Sequence, residues 1–308
     1  MSTAVLLMAY GAAGSLDEIE PYLRDIRGGR PVGPELVAEV RRRYELMGGR
    51  SPLLEITRVQ AQRLEERLNQ AGPGRFGVYV GMRHWHPYIN ETVGRIVADG
   101  CDRLVALCLT PYYSKLSVGA YFGKLDEACG AHGAHFPIAR VESWSQQPLL
   151  IEALADQLAA ARDRFAPEVS ARVPIVFTAH SLPERILKDN DPYPGELHAT
   201  AQAVAQRIGA GEWRFAYQSQ GRTPEPWLGP DAGSVIAELH AQGHRHVLLA
   251  PIGFISDHME TLYDVDILYA GQARARGMQL ERAASLNADP KLIEALAQVV
   301  AAGAGIAT

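Results

Sequence analysis

The stretch IVFTAHSLPERILKDNDPY (175–193) begins as a nearly unbroken apolar, β-branched run and ends in a turn. Residues 173–179 lack the alternation of a strand with one wet face, so they fit a parallel strand covered on both sides. Pro183 then stops the extended run. His180 is therefore expected at the carboxyl end of a strand, in an exposed His-Ser-Leu-Pro turn, where open α/β sheets place their ligands. Imidazole accepts a proton or binds a metal near neutral pH. A hydrogen-bonded structural histidine is the competing reading of that one position.

Seven further apolar runs read as strands: 4–10, 76–82, 103–110, 138–143, 214–219, 246–252 and 279–285. Between them lie segments of helical periodicity, such as LLEITRVQAQRLEERLNQ (53–70) and PLLIEALADQLAAARDRF (148–165). Strands alternating with amphipathic helices imply β-α-β units and parallel sheets. The third runs of the two halves resemble each other: RLVALCLTPYYSKLSVGAY (103–121) and HVLLAPIGFISDHMETLY (246–263). The fold class predicted is α/β, with two similar Rossmann-like lobes, each a four-stranded parallel sheet flanked by helices, and the active-site cleft between them. The lobes are expected at 1–150 and 151–308, with the C-terminal helix free to pack back on the first lobe.

A chain of 308 residues with a formal net charge of −5 is long enough for this core and is not built to bind nucleic acid. Cys101, Cys108 and Cys129 show no CxxC spacing, so neither a disulfide framework nor a zinc knuckle is indicated. No apolar run approaches the roughly 18 residues of a membrane span, and the first residues lack a basic flank, so a cytoplasmic protein without a leader is expected. Gly72, Gly74 and Gly77 match GxGxxG by letter, but they precede a strand and include Pro73, which makes the segment a turn. His240, His244 and His246 precede a strand and read as solvated imidazoles; His84 and His86 follow one and carry more weight.

SDHMETLYDVD (256–266) reads as a helix opened by Ser256 as N-cap. The +3 and +4 spacing would put Asp257, Glu260 and Asp264 on one face, with no balancing Lys or Arg in the segment. A carboxylate row entering a cleft would conduct protons or guide a divalent cation. A solvated acidic face costs little, only about 0.2–0.5 kcal/mol per like-charged pair, and stays open as the alternative.

FTAHSLPERI with DPYP, SQGRTPEPWLGPD (219–231) and IGFISDHMETLYD (252–264) resemble the ferrochelatase family. MAYG (8–11), IRGGR (26–30), RRRYELMGGRSPL (41–53) and SVGAY (117–121) extend the resemblance over nearly the whole chain. The resemblance implies haem biosynthesis: ferrous iron enters a porphyrin and two pyrrole protons leave. It implies His180 as the metal-contacting imidazole and Glu260 as its acidic partner, with Asp264 as a further metal contact. Substrate contacts implied are Tyr10, Ile26, Arg27, Arg43, Tyr44, Ser51, Tyr121 and Trp227. Arg suits propionates because its planar fork binds carboxylates bidentately.

Tyr10 resembles the family branch acting on coproporphyrin III; members acting on protoporphyrin IX usually carry Met there. Coproporphyrin III is therefore the expected substrate, with protoporphyrin IX or a non-catalytic porphyrin or haem carrier as alternatives. No tightly bound cofactor is expected, iron being a substrate. Three cysteines cannot supply the four ligands of the [2Fe–2S] cluster that some relatives carry. The branch implies a monomer, with at most transient contact with haem-pathway enzymes. Two departures stand out: Asn190 replaces the glycine usual before DPY, and Leu268 replaces a glutamate that could extend the acidic row.

Overall fold

The computed structural model describes residues 2–70 and 75–305. Gly72, Pro73 and Gly74, which the sequence assigns to a turn, lie outside the described residues. Among the described residues there are eight strands, falling where the apolar runs predict: β1 (Thr3–Ala9), β2 (Phe76–Met82), β3 (Arg103–Cys108), β4 (Ile138–Val141), β5 (Ile175–His180), β6 (Trp213–Gln218), β7 (His246–Ala250) and β8 (Gln279–Arg282). They form two four-stranded sheets of identical order, β2-β1-β3-β4 and β6-β5-β7-β8, and all pairs are parallel. Both sheets change winding direction beside their first strand, so β1 and β5 flank the topological switch points where ligands bind in such sheets.

The two central strands β1 and β5 are almost wholly apolar because helices cover both faces, whereas the edge strands β4 and β8 carry Arg140, Gln279, Glu281 and Arg282. In β1, Ala4 to Met8 are 0% exposed, and Val176 to Ala179 of β5 are likewise sealed. Predicted ends shift where local chemistry intervenes. β7 stops at Ala250 because Pro251 cannot donate to the ladder, and β8 ends at Arg282, with one further bond from Ala283 N–H to the Leu249 carbonyl.

The chain divides into two compact units. One comprises residues 1–111, 115–144 and 287–308; the other comprises 112–114 and 145–286. The division falls just before the helix Pro148–Arg162 instead of inside it at 150. In the first unit, the C-terminal helix Pro290–Gly303 lies along the helix Leu53–Leu68. Arg67 grips both Glu294 oxygens at 2.5 and 2.9 Å, and Gln60 and Arg63 donate to the carbonyls of Asn287 and Ala288. In the second unit, Val176, Ala216, Val247 and Leu249 meet the helix Ala232–Ala241 in one apolar cluster. Tyr112 belongs to this unit and donates from Oη to the Ile252 carbonyl at 3.0 Å.

Candidate active site

In the second unit His180 ends β5, and its Nδ1 lies 2.9 Å from Glu260 Oε2. Eighty residues of sequence separate the two, and the loop after β7 brings them together. Gly253 makes this possible: its N–H bonds the Thr178 carbonyl at 3.0 Å, and a Cβ there would fall 2.5 Å from Ala179 Cβ. The loop thus lies flush on the end of β5. The His180 backbone is held as well, its carbonyl accepting from Tyr193 Oη at 2.9 Å. Tyr193 follows the DP pair, and Asn190 before it adopts φ 52, the left-handed conformation that the usual glycine would adopt freely.

The His-Ser-Leu-Pro turn is not exposed as predicted. Ser181 is 1% exposed and donates from Oγ to the Leu228 carbonyl at 2.8 Å. Leu228 N–H bonds the Leu182 carbonyl, and Pro183 bridges to Trp227. The PEPWLGPD segment therefore braces the turn. Trp227 lies half-buried with its indole on Gly221, where a Cβ would fall 2.4 Å from the ring.

The acidic segment also differs from the single helix that the spacing predicts. His258, not Ser256, caps a four-residue helix, Met259–Leu262, which passes into a π-helical turn, Asp264–Tyr269. Asp257 precedes the helix, and it is not an unbalanced carboxylate: Arg282 of β8 reaches its Oδ1 at 3.2 Å. Glu260 is thereby separated in role from Asp257. Its backbone carbonyl accepts from Gln218 Nε2 at 2.7 Å, and Gln218 Oε1 accepts from Thr178 Oγ1 at 2.7 Å. Asp264, 6% exposed, accepts from Ser219 Oγ at 2.5 Å. Among the described residues no three His, Cys, Asp or Glu side chains are arranged as a metal-holding group. His180 and Glu260 are brought together, whereas Asp264 is engaged by Ser219.

His258 is a site residue that motif reading passed over. Its Nδ1 is 3.0 Å from the Ser256 carbonyl, which fixes that nitrogen as the donor and turns Nε2 toward Glu260 Oε2, 3.9 Å away. The signal for it was its place two residues before Glu260. Burial pulls the His180 pKa down, but Glu260 and Asp264 outweigh it and hold the group above its ordinary value. For Glu260, burial raises the pKa while His180 and His258 lower it further, and the net direction is down. Both shifts favour the charged pair.

Seven of the eight expected substrate contacts, all but Trp227, lie in the first unit, and Tyr10 follows the carboxyl end of β1. Tyr10 is 41% exposed, and its ring leans on His84 with centroids 4.7 Å apart. His84 Nδ1 lies 2.9 Å from Asp25 Oδ2, beside Ile26 and Arg27 at the end of the helix Ile19–Ile26. Ile26 is half-buried and Arg27 exposed. Gly11 takes φ 94 against the Trp85 backbone, and its carbonyl accepts from Tyr22 Oη. Ser51 N–H bonds the Ala13 carbonyl at 3.4 Å, while Ser51 Oγ accepts from Leu53 N–H at the start of the next helix. Tyr44 is 1% exposed, and burial, against a hydrogen bond to the Ala13 backbone, pushes its phenol up to about 12. Arg43 pairs with Glu39 at 2.5 Å. Tyr121 is buried under the Arg83 guanidinium, 5.5 Å from its ring centre. The Asp25–His84 pair was not predicted; it links two segments that carry no joint motif. Two of the three histidines read as solvated have partners: His246 meets Phe165 edge-on at 5.9 Å, and His244 lies 3.5 Å from Glu212.

Two solved chelatases share this fold. SirB from Bacillus subtilis with Fe3+ matches with a TM-score of 0.60 over 99% of this chain and 96% of its own, at 11% identity. Sirohydrochlorin chelatase SirB from Bacillus subtilis subspecies spizizenii, in complex with cobalt, matches at 0.57 with the same coverage and identity. The ferrochelatase family model matches residues 2–304, and the chain belongs to that family. The ferrochelatase of Herpetosiphon aurantiacus is 42% identical over 97% of this chain and 98% of its own length. The coproporphyrin III ferrochelatase of Anoxybacillus flavithermus is 37% identical over 96% and 95%. The activity is insertion of iron into a porphyrin in haem biosynthesis. No helix among the described residues is long and apolar enough to cross a membrane.

Proposed function

We propose that the chain inserts ferrous iron into coproporphyrin III, with His180 and Glu260 handling the two pyrrole protons. The observation that carries this reading is the 2.9 Å contact between His180 Nδ1 and Glu260 Oε2. Metallation is balanced by proton release: one Fe2+ enters, two N–H bonds break, and two protons leave with no electron transferred. Glu260 holds His180 toward its charged form, so the Nε2 proton must first leave to solvent; His180, still donating Nδ1–H to Glu260, then presents the Nε2 lone pair, which can meet iron or receive a pyrrole proton. The carboxylate then stabilises the imidazolium, and His258 lies within 3.9 Å as the next proton acceptor. Asp264 in this reading steers the cation by charge, through its place beside Ser219.

Tyr10, exposed at the end of β1, supports coproporphyrin III, as do relatives so named at 36–37% identity. Relatives at 41–42% carry only the broader name. Arg27 and Arg43 with Tyr44, Ser51 and Tyr121 are the proposed partners of the propionates, and Ile26 and Trp227 are the proposed apolar walls. The reading includes a monomer in the cytoplasm, with iron as substrate and no resident cluster. Purified protein given ferrous iron should metallate coproporphyrin III faster than protoporphyrin IX, followed by the Soret band. His180→Ala should lose at least about 10²-fold in rate, the lower range for a positioned acid–base group. A reversed preference overturns the substrate; an active His180→Ala moves the chemistry elsewhere.

A further inference from the structure

Glu260 sits on a segment that cannot hold its own shape. A four-residue helix followed by a single π-helical turn is below the length at which helices persist without tertiary support. Packing of Val265 and Tyr269 in the apolar cluster and the Gln218 bond to the Glu260 carbonyl give part of that support, and Arg282 adds a side-chain clamp from the end of β8. Its Nε and Nη2 donate to the two oxygens of Asp266 at 2.7 and 3.0 Å, and its Nη1 donates to Asp257 Oδ1 at 3.2 Å. The same Asp257 oxygen accepts from Ser285 Oγ at 2.8 Å and from Thr261 Oγ1 at 3.2 Å. The Arg282 side chain is 14% exposed, so its bonds are shielded from competing water.

Asp257 and Asp266 bracket Glu260 in sequence, and one guanidinium ties them together. A planar fork does this where an ammonium could not, because three nitrogens must meet two carboxylates at fixed angles. We propose that Arg282 is a positioning residue for iron insertion: by clamping Asp257 to Asp266 it holds Glu260 within hydrogen-bonding distance of His180. Arg282 bonds neither member of that pair and acts only through the segment it clamps. The inference rests on the pair being the proton-handling groups.

Steady-state iron insertion is compared for the wild type, Arg282→Lys, Asp266→Asn, Glu260→Gln and the double variant Arg282→Lys with Glu260→Gln, all checked for fold by circular dichroism. Arg282→Lys should lower kcat about tenfold, within the range for misplacing a group by a fraction of an ångström, while the porphyrin KM stays within about twofold. Should it fail to fold, Asp266→Asn, which loosens one half of the fork at a more exposed position, should lower kcat about threefold. In the Glu260→Gln background Arg282→Lys should cost nothing further, since groups acting through one another are non-additive. Wild-type kcat in folded Arg282→Lys or Asp266→Asn overturns the inference, as do losses that multiply in the double variant. Wild-type kcat in Glu260→Gln instead overturns the pair itself, and the inference with it.

Discussion

Gly253 packs so closely on Ala179 that an added Cβ would lie 2.5 Å from the alanine Cβ and 2.7 Å from its Cα. The contact fixes the loop after β7 to the last turn of β5, one residue before His180. Neither neighbour is a flexible side-chain end, so strain cannot be relieved by a rotamer change. Gly253→Ala should destabilise the fold by about 1–3 kcal/mol, the usual cost of overpacking, and should lower kcat by moving Glu260 away from His180. Ala179→Gly in the same chain should restore part of both. Thermal unfolding and Soret-followed kinetics on the two single variants and the double one measure the coupling; additive effects would remove the contact as the cause.

The charged pair gives stability a definite pH window. His180 is raised above its ordinary value, so its contribution is complete below about pH 6.5 and is lost as pH rises through the folded value. Glu260 is lowered, so its contribution is present above about pH 4.3 and is lost as pH falls through the folded value. The pair therefore stabilises most between those limits. The difference in melting temperature between wild type and Glu260→Gln should be largest near pH 5–6 and should shrink toward pH 9. A difference that is flat with pH would show that the two side chains do not interact as ions.

Tyr193 tests whether the His180 backbone needs its own anchor. The phenol is 5% exposed, and its Oη donates to the His180 carbonyl at 2.9 Å. Tyr193→Phe keeps the ring, which also meets Tyr112 edge-on at 6.5 Å, and leaves that carbonyl without its donor. The expected loss is about 0.5–1.5 kcal/mol in denaturant unfolding, the net worth of one hydrogen bond at a half-buried carbonyl. Unchanged stability would mean that water replaces the hydroxyl.

Strand positions were legible because parallel sheets covered on both faces demand continuous apolar runs, and eight such runs occur in the right order. His180 was legible as the residue ending one of them. Glu260 was legible only through its motif, since spacing alone gave it the same standing as Asp257 and Asp264. The structure separates the three by their partners: His180 for Glu260, Arg282 for Asp257, Ser219 for Asp264. No pattern in the segment announces the π-helical turn, because apolar periodicity does not distinguish an i+4 from an i+5 hydrogen bond over so few residues. Arg282 was illegible for a related reason. It lies 25 residues beyond Asp257, and only the pairing of β8 with β7 turns that separation into contact. Ser51 Oγ accepts from the Leu53 N–H, which holds the hydroxyl in place and leaves its O–H to donate.

Tyr10 offers the sharpest test of substrate choice. Its phenol is 41% exposed at the end of β1, while its backbone is fixed by the bond from His84 N–H to its carbonyl at 2.9 Å. The anchor is therefore independent of the side chain, and the ring rests on His84 without being enclosed. Tyr10→Met should leave stability within about 0.5 kcal/mol, as exposed substitutions do. It removes a hydroxyl and a flat ring and substitutes a flexible apolar chain better suited to a less polar macrocycle. The ratio of kcat/KM for coproporphyrin III over protoporphyrin IX should fall by about tenfold, equivalent to 1.4 kcal/mol of discrimination. The measurement is the same Soret assay with both porphyrins under identical iron concentrations. A ratio unmoved by the exchange would leave Tyr10 as an exposed strand-end tyrosine, and discrimination would then have to reside in the residues proposed to hold the propionates.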